Sequence, residues 1–298
     1  MIVSVFFLSG CSQSWYVFTS FREPANEGLR LLYSKDARQW NRLDTIFLAP
    51  GVGKQQVMRD PSIAKGPDDS FHLVWTSSWQ GDKGFGYAAS QDLIHWTPQQ
   101  FIPVMAQEPT TVNVWAPELF YDQDSSRYII VWASCIPGRF EKGIEADSNN
   151  HRLYYTTTKD FNQFTPTQLF MDPEFSVIDA AIVRRAKNDF VLVLKDNTRP
   201  ERNLKIAFGK SAIGPWSAAS AKFSDKFTEG PSVVKAGEDW LIYFDAYHDK
   251  SYQAVSTQDF KSFTAPDPSI SIPEGHKHGT IVQTNGKTIR RLLKYTSQ

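Results

Sequence analysis

Four segments of this chain close a β-rich run with the same turn. They are "LLYSKDARQW" (Leu31 to Trp40), "YAASQDLIHWT" (Tyr87 to Thr97), "YTTTKDFNQFT" (Tyr155 to Thr165) and "AVSTQDFKSFT" (Ala254 to Thr264). Each places Ser or Thr two residues before an aspartate and an aromatic four residues after it. A short carboxylate at that point can accept hydrogen bonds from its own backbone, while the aromatic folds back onto the sheet. Asp36, Asp92, Asp160 and Asp259 therefore read as structural. A degenerate copy, "AFGKSAIGPWS" (Ala207 to Ser217), falls in the wide gap between Asp160 and Asp259. Five units of roughly fifty residues each result, a period that indicates a repeat architecture.

Each unit also carries a longer β-forming run ahead of its turn: "WYVFTSF", "FHLVWTSSW", "YIIVWAS", "FVLVLKD" and "WLIYFDAY". In four units a shorter apolar segment comes earlier still: "DPSIA", "APELFY", "DAAIVRR" and "GPSVVKA". No stretch has a helical period, so each unit reads as a small antiparallel sheet. The expected fold is all-β, a five-bladed β-propeller. The first unit lacks an opening strand, and the C-terminal "GTIVQTNGKTIRRLL" supplies strands without a full unit. Pairing the two termini would close the ring and remove both exposed edges.

Composition narrows the partners. The 298 residues hold 32 basic and 32 acidic side chains, so no net field attracts nucleic acid. The chain carries 21 Phe, 11 Tyr and 9 Trp, an excess of flat apolar surface that suits neutral ligands such as sugars as well as β-sheet cores. The expected partner is an oligosaccharide or polysaccharide, and the expected state a monomer.

The N-terminal "MIVSVFFLSGC" resembles the lipobox of bacterial lipoprotein signal peptides, although no Lys or Arg precedes its apolar run. It is too short to span a bilayer. Residues 1–14 are therefore expected to be a signal and linker segment, with residues 15–298 a single catalytic propeller. The expected location is the periplasm or outer membrane, with contact to the membrane only through a lipid on Cys11. Cys135, the other cysteine, is then left unpaired and reads as a small buried hydrophobe.

In a propeller the innermost strand of each blade lines a central channel. The residues opening those strands are Asp60 in "MRDPSI", Trp115 and Glu118 in "NVWAPELF", Asp179 in "VIDAAIV", Glu229 in "TEGPSVV", and His276 or His278 in "GHKHGTIV". Taken singly, Asp60 before Pro61 can start a turn and Glu229 before Gly230 can be a solvated loop residue. Acids gathered in one cavity repel unless their environments separate their protonation states. Trp79, Trp115 and Phe140 can stack on a sugar or pack in the core. Glu118 is a polar lining residue without an assigned role.

The series RDPS, WAPE, IDA and EGPS, in that order at blade spacing, resembles glycoside hydrolase family 43, five-bladed propellers acting on arabinose-, xylose- and some galactose-containing glycans. The resemblance implies Asp60 as general base, Glu229 as general acid and Asp179 as the residue that orients the donor and raises its pKa. It implies that His278, which stands nearer the strand than His276, helps hold a central water or metal. Calcium in the channel is the candidate, reached through water, although the chemistry requires no cofactor. The implied activity is inverting hydrolysis of terminal sugars. α-L-Arabinofuranosidase leads; β-xylosidase, exo-galactanase and a noncatalytic sugar-binding propeller are the alternatives.

Overall fold

The structure, a computed structural model, describes residues 14–297. The expectations for Cys11 and the segment before it lie outside the described residues. Strands β1 (Trp15–Ser20), β2 (Arg30–Ser34) and β3 (Asn41–Arg42) form most of the first blade. The second holds β4 (Arg59–Lys65), β5 (Phe71–Thr76), β6 (Phe85–Ser90) and β7 (Gln100–Ile102). The third holds β8 (Trp115–Asp122), β9 (Arg127–Cys135), β10 (His151–Thr158) and β11 (Gln168–Met171). The fourth is β12 (Val177–Ala186), β13 (Asp189–Asp196) and β14 (Asn203–Gly209); the fifth is β15 (Thr228–Ala236), β16 (Asp239–Ala246) and β17 (Ser251–Thr257).

Strand β18 (Ile281–Thr284) then returns to the first blade as its innermost strand, in the sheet order β18-β1-β2-β3. Its antiparallel register on β1 runs from Trp15 opposite Thr284 to Phe18 opposite Ile281. Beyond the last ladder pair the Thr19 amide donates to the Thr280 carbonyl at 3.0 Å, and the Thr280 amide donates to the Thr19 hydroxyl at 2.9 Å. The ring is thus closed by its termini, as the unit count requires. The five-bladed all-β propeller is the observed fold.

One element differs from expectation. After Thr284 the chain does not continue as strand but forms helix α1 (Gly286–Thr296). Asn285 caps it, its side chain accepting from the Thr288 amide at 3.0 Å. Ile289 and Leu292 face inward, and a helical spacing of three buries both against the first two blades where alternation would have buried only one.

The buried apolar side chains gather in five clusters, one at each junction between neighbouring blades. The repeated turns are built as expected. Asp36 Oδ1 accepts from the Arg38 and Gln39 amides at 2.8 Å each, and Asp259 Oδ1 repeats the pattern with Lys261 and Ser262 at 2.8 Å. Asp92 and Asp160 do the same.

Leu292 has no solvent exposure. Leu292→Ala should cost about 2–5 kcal/mol of stability, through lost transfer energy and the cavity left behind. Urea unfolding followed by tryptophan fluorescence measures that loss, and an unchanged midpoint would contradict the packing of α1.

Candidate active site

Each inner strand of blades two to five enters through the same kink. Its ladder with the second strand skips between the first and fourth residue of a tetrad: Arg59/Ser62, Trp115/Glu118, Ile178/Ala181 and Glu229/Ser232. The second residue of each tetrad has a left-handed backbone, with φ of 50° at Asp60, 46° at Ala116, 52° at Asp179 and 59° at Gly230. The extra residue of such a bulge turns neighbouring side chains away from simple up-down alternation. Lys277 and His278 take the corresponding places ahead of β18.

The kink sorts the residues into two layers. First-position residues Arg59, Trp115, Ile178, Glu229 and Lys277 line an open pocket of about 410 Å³. Second-position residues Asp60, Ala116, Asp179, Gly230 and His278 surround a cavity of about 30 Å³ along the channel. This corrects the expectation that Asp60, Asp179 and Glu229 are topologically equivalent: Glu229 stands one residue earlier and lies in the outer layer. Gly230 is required by the same arrangement. A Cβ there would lie 2.1 Å from the His278 ring, which occupies the space a fifth-blade side chain would need.

The inner layer centres on His278. Its Nε2 donates to Asp60 Oδ1 at 2.8 Å, and its Nδ1 lies 3.6 Å from Asp245 Oδ2. Burial opposes its charge, but the carboxylates of Asp245 and Asp60 beside its two ring nitrogens raise its pKa well above the ordinary value. Asp60 also accepts from the Thr76 hydroxyl at 2.7 Å. Burial works against its charge, but His278, Arg59 and Thr76 together hold its pKa at about 2. Asp179 accepts from the Gly230 amide at 3.0 Å. Burial, reinforced by the charge of Glu229 and opposed by Lys195, pushes Asp179 up to about 6. Deeper in the channel Glu118 accepts from the Ser62 hydroxyl at 2.8 Å, and burial lifts it to about 8, leaving it neutral.

In the outer layer the Lys195 ammonium donates to Glu229 Oε2 at 2.8 Å. Lys195 and, more remotely, His278 outweigh burial and lower the Glu229 pKa. The rise expected through Asp179 is replaced by a lowering, because Lys195 reaches the carboxylate from the neighbouring blade. Among the three acids given catalytic roles, the raised carboxyl is Asp179. Lys277 donates to Asp245 at 2.9 Å. Arg59 does not bond its neighbour Asp60 directly; its guanidinium pairs with Glu23 and lies over the rings of Phe21 and Trp79.

Trp79 and Trp115 share the mouth, their rings 4.6 Å apart, and Trp79 is 46% exposed. Trp115 also stacks on His151 at 4.9 Å, and Trp79 also carries the Arg59 guanidinium at 4.7 Å, so it is the exposed part of Trp79 that borders the open pocket. Phe140 is not brought to this pocket; it lines a separate cleft. His276 bonds Ser20 and Arg22 outside the channel, so His278 is the channel histidine. Sequence reasoning missed Lys195, Asp245 and Thr76. Each closes an apolar second strand and pairs with a first-position residue: Ile178 with Lys195, Glu229 with Asp245, Arg59 with Thr76. The charge ending "VLVLKD" was the available signal.

Glu229, Asp245 and His278 place one ligand atom each within 4.8 Å of one another. These residues do not fit a metal. Both carboxylates already carry an ammonium group, and His278 commits its Nε2 to Asp60.

Because the folded-state pKa of Asp60 lies below its ordinary 3.8, its charge stabilises the fold above that value and the stabilisation disappears as pH falls toward about 2. The contribution is roughly 2 kcal/mol. Urea midpoints measured from pH 5 to pH 2 should fall in the wild type and fall less steeply in Asp60→Asn; equal slopes would contradict the assignment.

A family model described as a probable glycosyl hydrolase domain, related to family 43, matches residues 13–288. No curated protein matches the chain significantly. Among solved structures, endo-arabinase from Bacteroides thetaiotaomicron is similar with TM-score 0.60 at 13% identity, over 88% of this chain and 91% of that one. α-L-Arabinofuranosidase from Lactobacillus brevis gives 0.53 at 16%, over 70% of this chain and 73% of that one. Exo-β-1,3-galactanase from Clostridium thermocellum gives 0.55 at 14%, over 70% of this chain and 48% of that one. The chain thus spans about half the length of that galactanase. These likenesses show the shared fold, and the family match covers nearly the whole propeller: the chain belongs to the family 43-related glycosyl hydrolase domains.

Proposed function

We propose that the protein is an inverting glycoside hydrolase that removes terminal sugars from plant-type polysaccharides, α-L-arabinofuranosyl units first among them. The observation that carries the reading is a set of three carboxyl groups from three blades at one channel mouth, each with a different partner: His278 for Asp60, the Gly230 amide for Asp179 and Lys195 for Glu229. Asp60, ionised and pinned by His278 and Thr76, takes a proton from the water that attacks the anomeric carbon. Glu229, in the outer layer, gives a proton to the leaving oxygen on the opposite face. Asp179 accepts from the amide of Gly230, the residue after Glu229, and its charge acts on that of Glu229, so Asp179 orients the donor and favours its protonated form. Entry of a sugar between Trp79, Trp115 and Tyr247 excludes water, which favours the neutral form of Glu229 over its pairing with Lys195.

β-Linked galactosyl substrates are the second reading, supported by the galactanases and the β-1,3-galactosidase among the similar structures. Export as a lipoprotein belongs to the same proposal and rests on "MIVSVFFLSGC" alone; radiolabelled palmitate incorporated by wild type and lost in Cys11→Ala tests it.

Arabinose release from a chromogenic arabinofuranoside should fall by about a thousandfold or more in Glu229→Gln and in Asp60→Asn. Unchanged rates in the first variant would remove Glu229 from the role of acid, whereas no release by the wild type would leave a sugar-binding propeller instead of an enzyme. NMR of the first-formed product should show inverted configuration; retention would remove Asp60 from the role of base. Activity requires a protonated Asp179–Glu229 pair, so it should decline as pH rises through about 6. Lys195→Met, which removes the cation that favours ionised Glu229, should move that decline to higher pH.

A further inference from the structure

We propose that the sugar on the leaving side of the scissile bond is a uronosyl residue, and that Arg202 at the rim of the acid pocket pairs with its carboxylate. The inference deepens the hydrolase reading and rests on it, because Glu229 as proton donor defines the leaving side. Five basic side chains line that pocket: Arg59, Lys195, Arg202, Lys277 and His278. Four of them are engaged within the protein. Arg59 pairs with Glu23, Lys195 with Glu229, Lys277 with Asp245 and His278 with Asp60. Arg202 is the fifth, and it has no carboxylate partner among the described residues.

The guanidinium makes no side-chain hydrogen bond among the described residues. Its Nε is buried without an acceptor, whereas the two terminal nitrogens are not enclosed, so a ligand meets Arg202 through these. The backbone that carries it is held firmly. The Arg202 amide donates to the Thr198 carbonyl at 3.2 Å, and the Arg202 carbonyl accepts from the Phe227 amide at 2.8 Å and the Thr228 amide at 3.2 Å. These bonds tie the connection between β13 and β14 to the residues that lead into Glu229. Beside them lies exposed aromatic surface. Phe227 is 36% exposed; its ring meets that of Tyr247 edge-on at 5.9 Å and stacks on His248 at 5.2 Å. Tyr247 lines the pocket, and its amide donates to the Phe227 carbonyl at 3.1 Å, so the aromatic surface runs from the pocket wall to the neighbour of Arg202.

A uronosyl ring matches both features, with a planar carboxylate for the guanidinium fork and a C–H face for the aromatic rings. A neutral sugar leaves the guanidinium unpaired, and a small carboxylate without a ring leaves the aromatic surface uncovered. The place is the leaving side. Asp60 activates water from the inner layer, so in a single displacement the leaving group departs toward the outer layer, where Glu229 stands and where Arg202 and Phe227 form the adjoining rim.

Calorimetry on the whole protein with digalacturonate and with its uncharged methyl ester tests the assignment, since the two ligands differ chiefly in charge. The wild type should bind the acid about ten-fold tighter than the ester, and added salt should narrow that margin. Arg202→Gln should bring the two affinities within about two-fold of each other, whereas Phe227→Ala should weaken both ligands about five-fold and keep the margin. Thermal melts establish that the variants fold; if Arg202→Gln does not, Arg202→Lys, which keeps the charge but loses the fork, should cut the margin to about three-fold. Equal binding of acid and ester by the wild type would overturn the proposal, as would a margin that survives loss of the guanidinium or tighter binding of a 6-sulfated galactobiose than of digalacturonate. Binding needs no turnover, so the two readings fail separately. A wild type that prefers the acid but releases sugar from no glycoside would refute the hydrolase reading; one that hydrolyses glycosides without preferring the acid would refute the role of Arg202 alone.

Discussion

The pairing of β1 with β18 is the interaction on which the rest depends. It joins the two ends of the described chain in one sheet and gives the first blade its inner strand. Without it the fifth and first blades would lose their shared apolar junction, and the inner strands would have no common axis. Closure also sets the chemistry. His278 lies three residues ahead of β18, and the register of that strand presents its imidazole to Asp60, 218 residues away in sequence.

The second constraint is the left-handed kink at each inner-strand entry. A regular strand would send alternate side chains in opposite directions, into the channel and into the blade junction. The kink, unfavourable for Asp60, Ala116 and Asp179 in isolation, lets consecutive residues serve consecutive layers of the channel. Asp60 can therefore lie in the inner layer while Arg59 lines the mouth, and Asp179 can lie beneath Ile178 in the same way. The fifth blade uses the same kink with the functional group moved one place earlier. Glycine frees the inner position for His278, and Glu229 occupies the outer one.

Charge compensation then keeps this dense set of ionisable groups folded. Asp60 faces His278, Glu229 faces Lys195 and Asp245 faces Lys277, each within 2.9 Å. Buried charges persist when paired and hydrogen-bonded. Asp179 receives only a backbone amide as direct donor, and of the three assigned acids it is the one whose pKa is raised. Glu118, with hydroxyl and amide donors and no cation, is neutral for the same reason. The difference in protonation among the acids is thus a difference in who faces them.

The blades were legible in the sequence because strand alternation and the Asp-centred turn are local: residues within a few positions of Asp36 or Asp160 make those turns by themselves. The ring closure followed from counting strands. Helix α1 was not legible as such, since "NGK" after a strand reads equally as a hairpin turn and an Asn cap, and only packing against the first two blades chooses between them. The offset of Glu229 could be seen by laying EGPS over RDPS, which sets Glu229 beside Arg59, but its meaning needs the kink. Lys195 escaped because its partner lies on another blade. The sequence by itself determined the repeat, the fold class and which acids open the inner strands, since these depend on neighbours along the chain. Only the tertiary structure decided which acid occupies which layer and which one holds a proton, because pKa is set by burial and by charges from blades far apart in sequence.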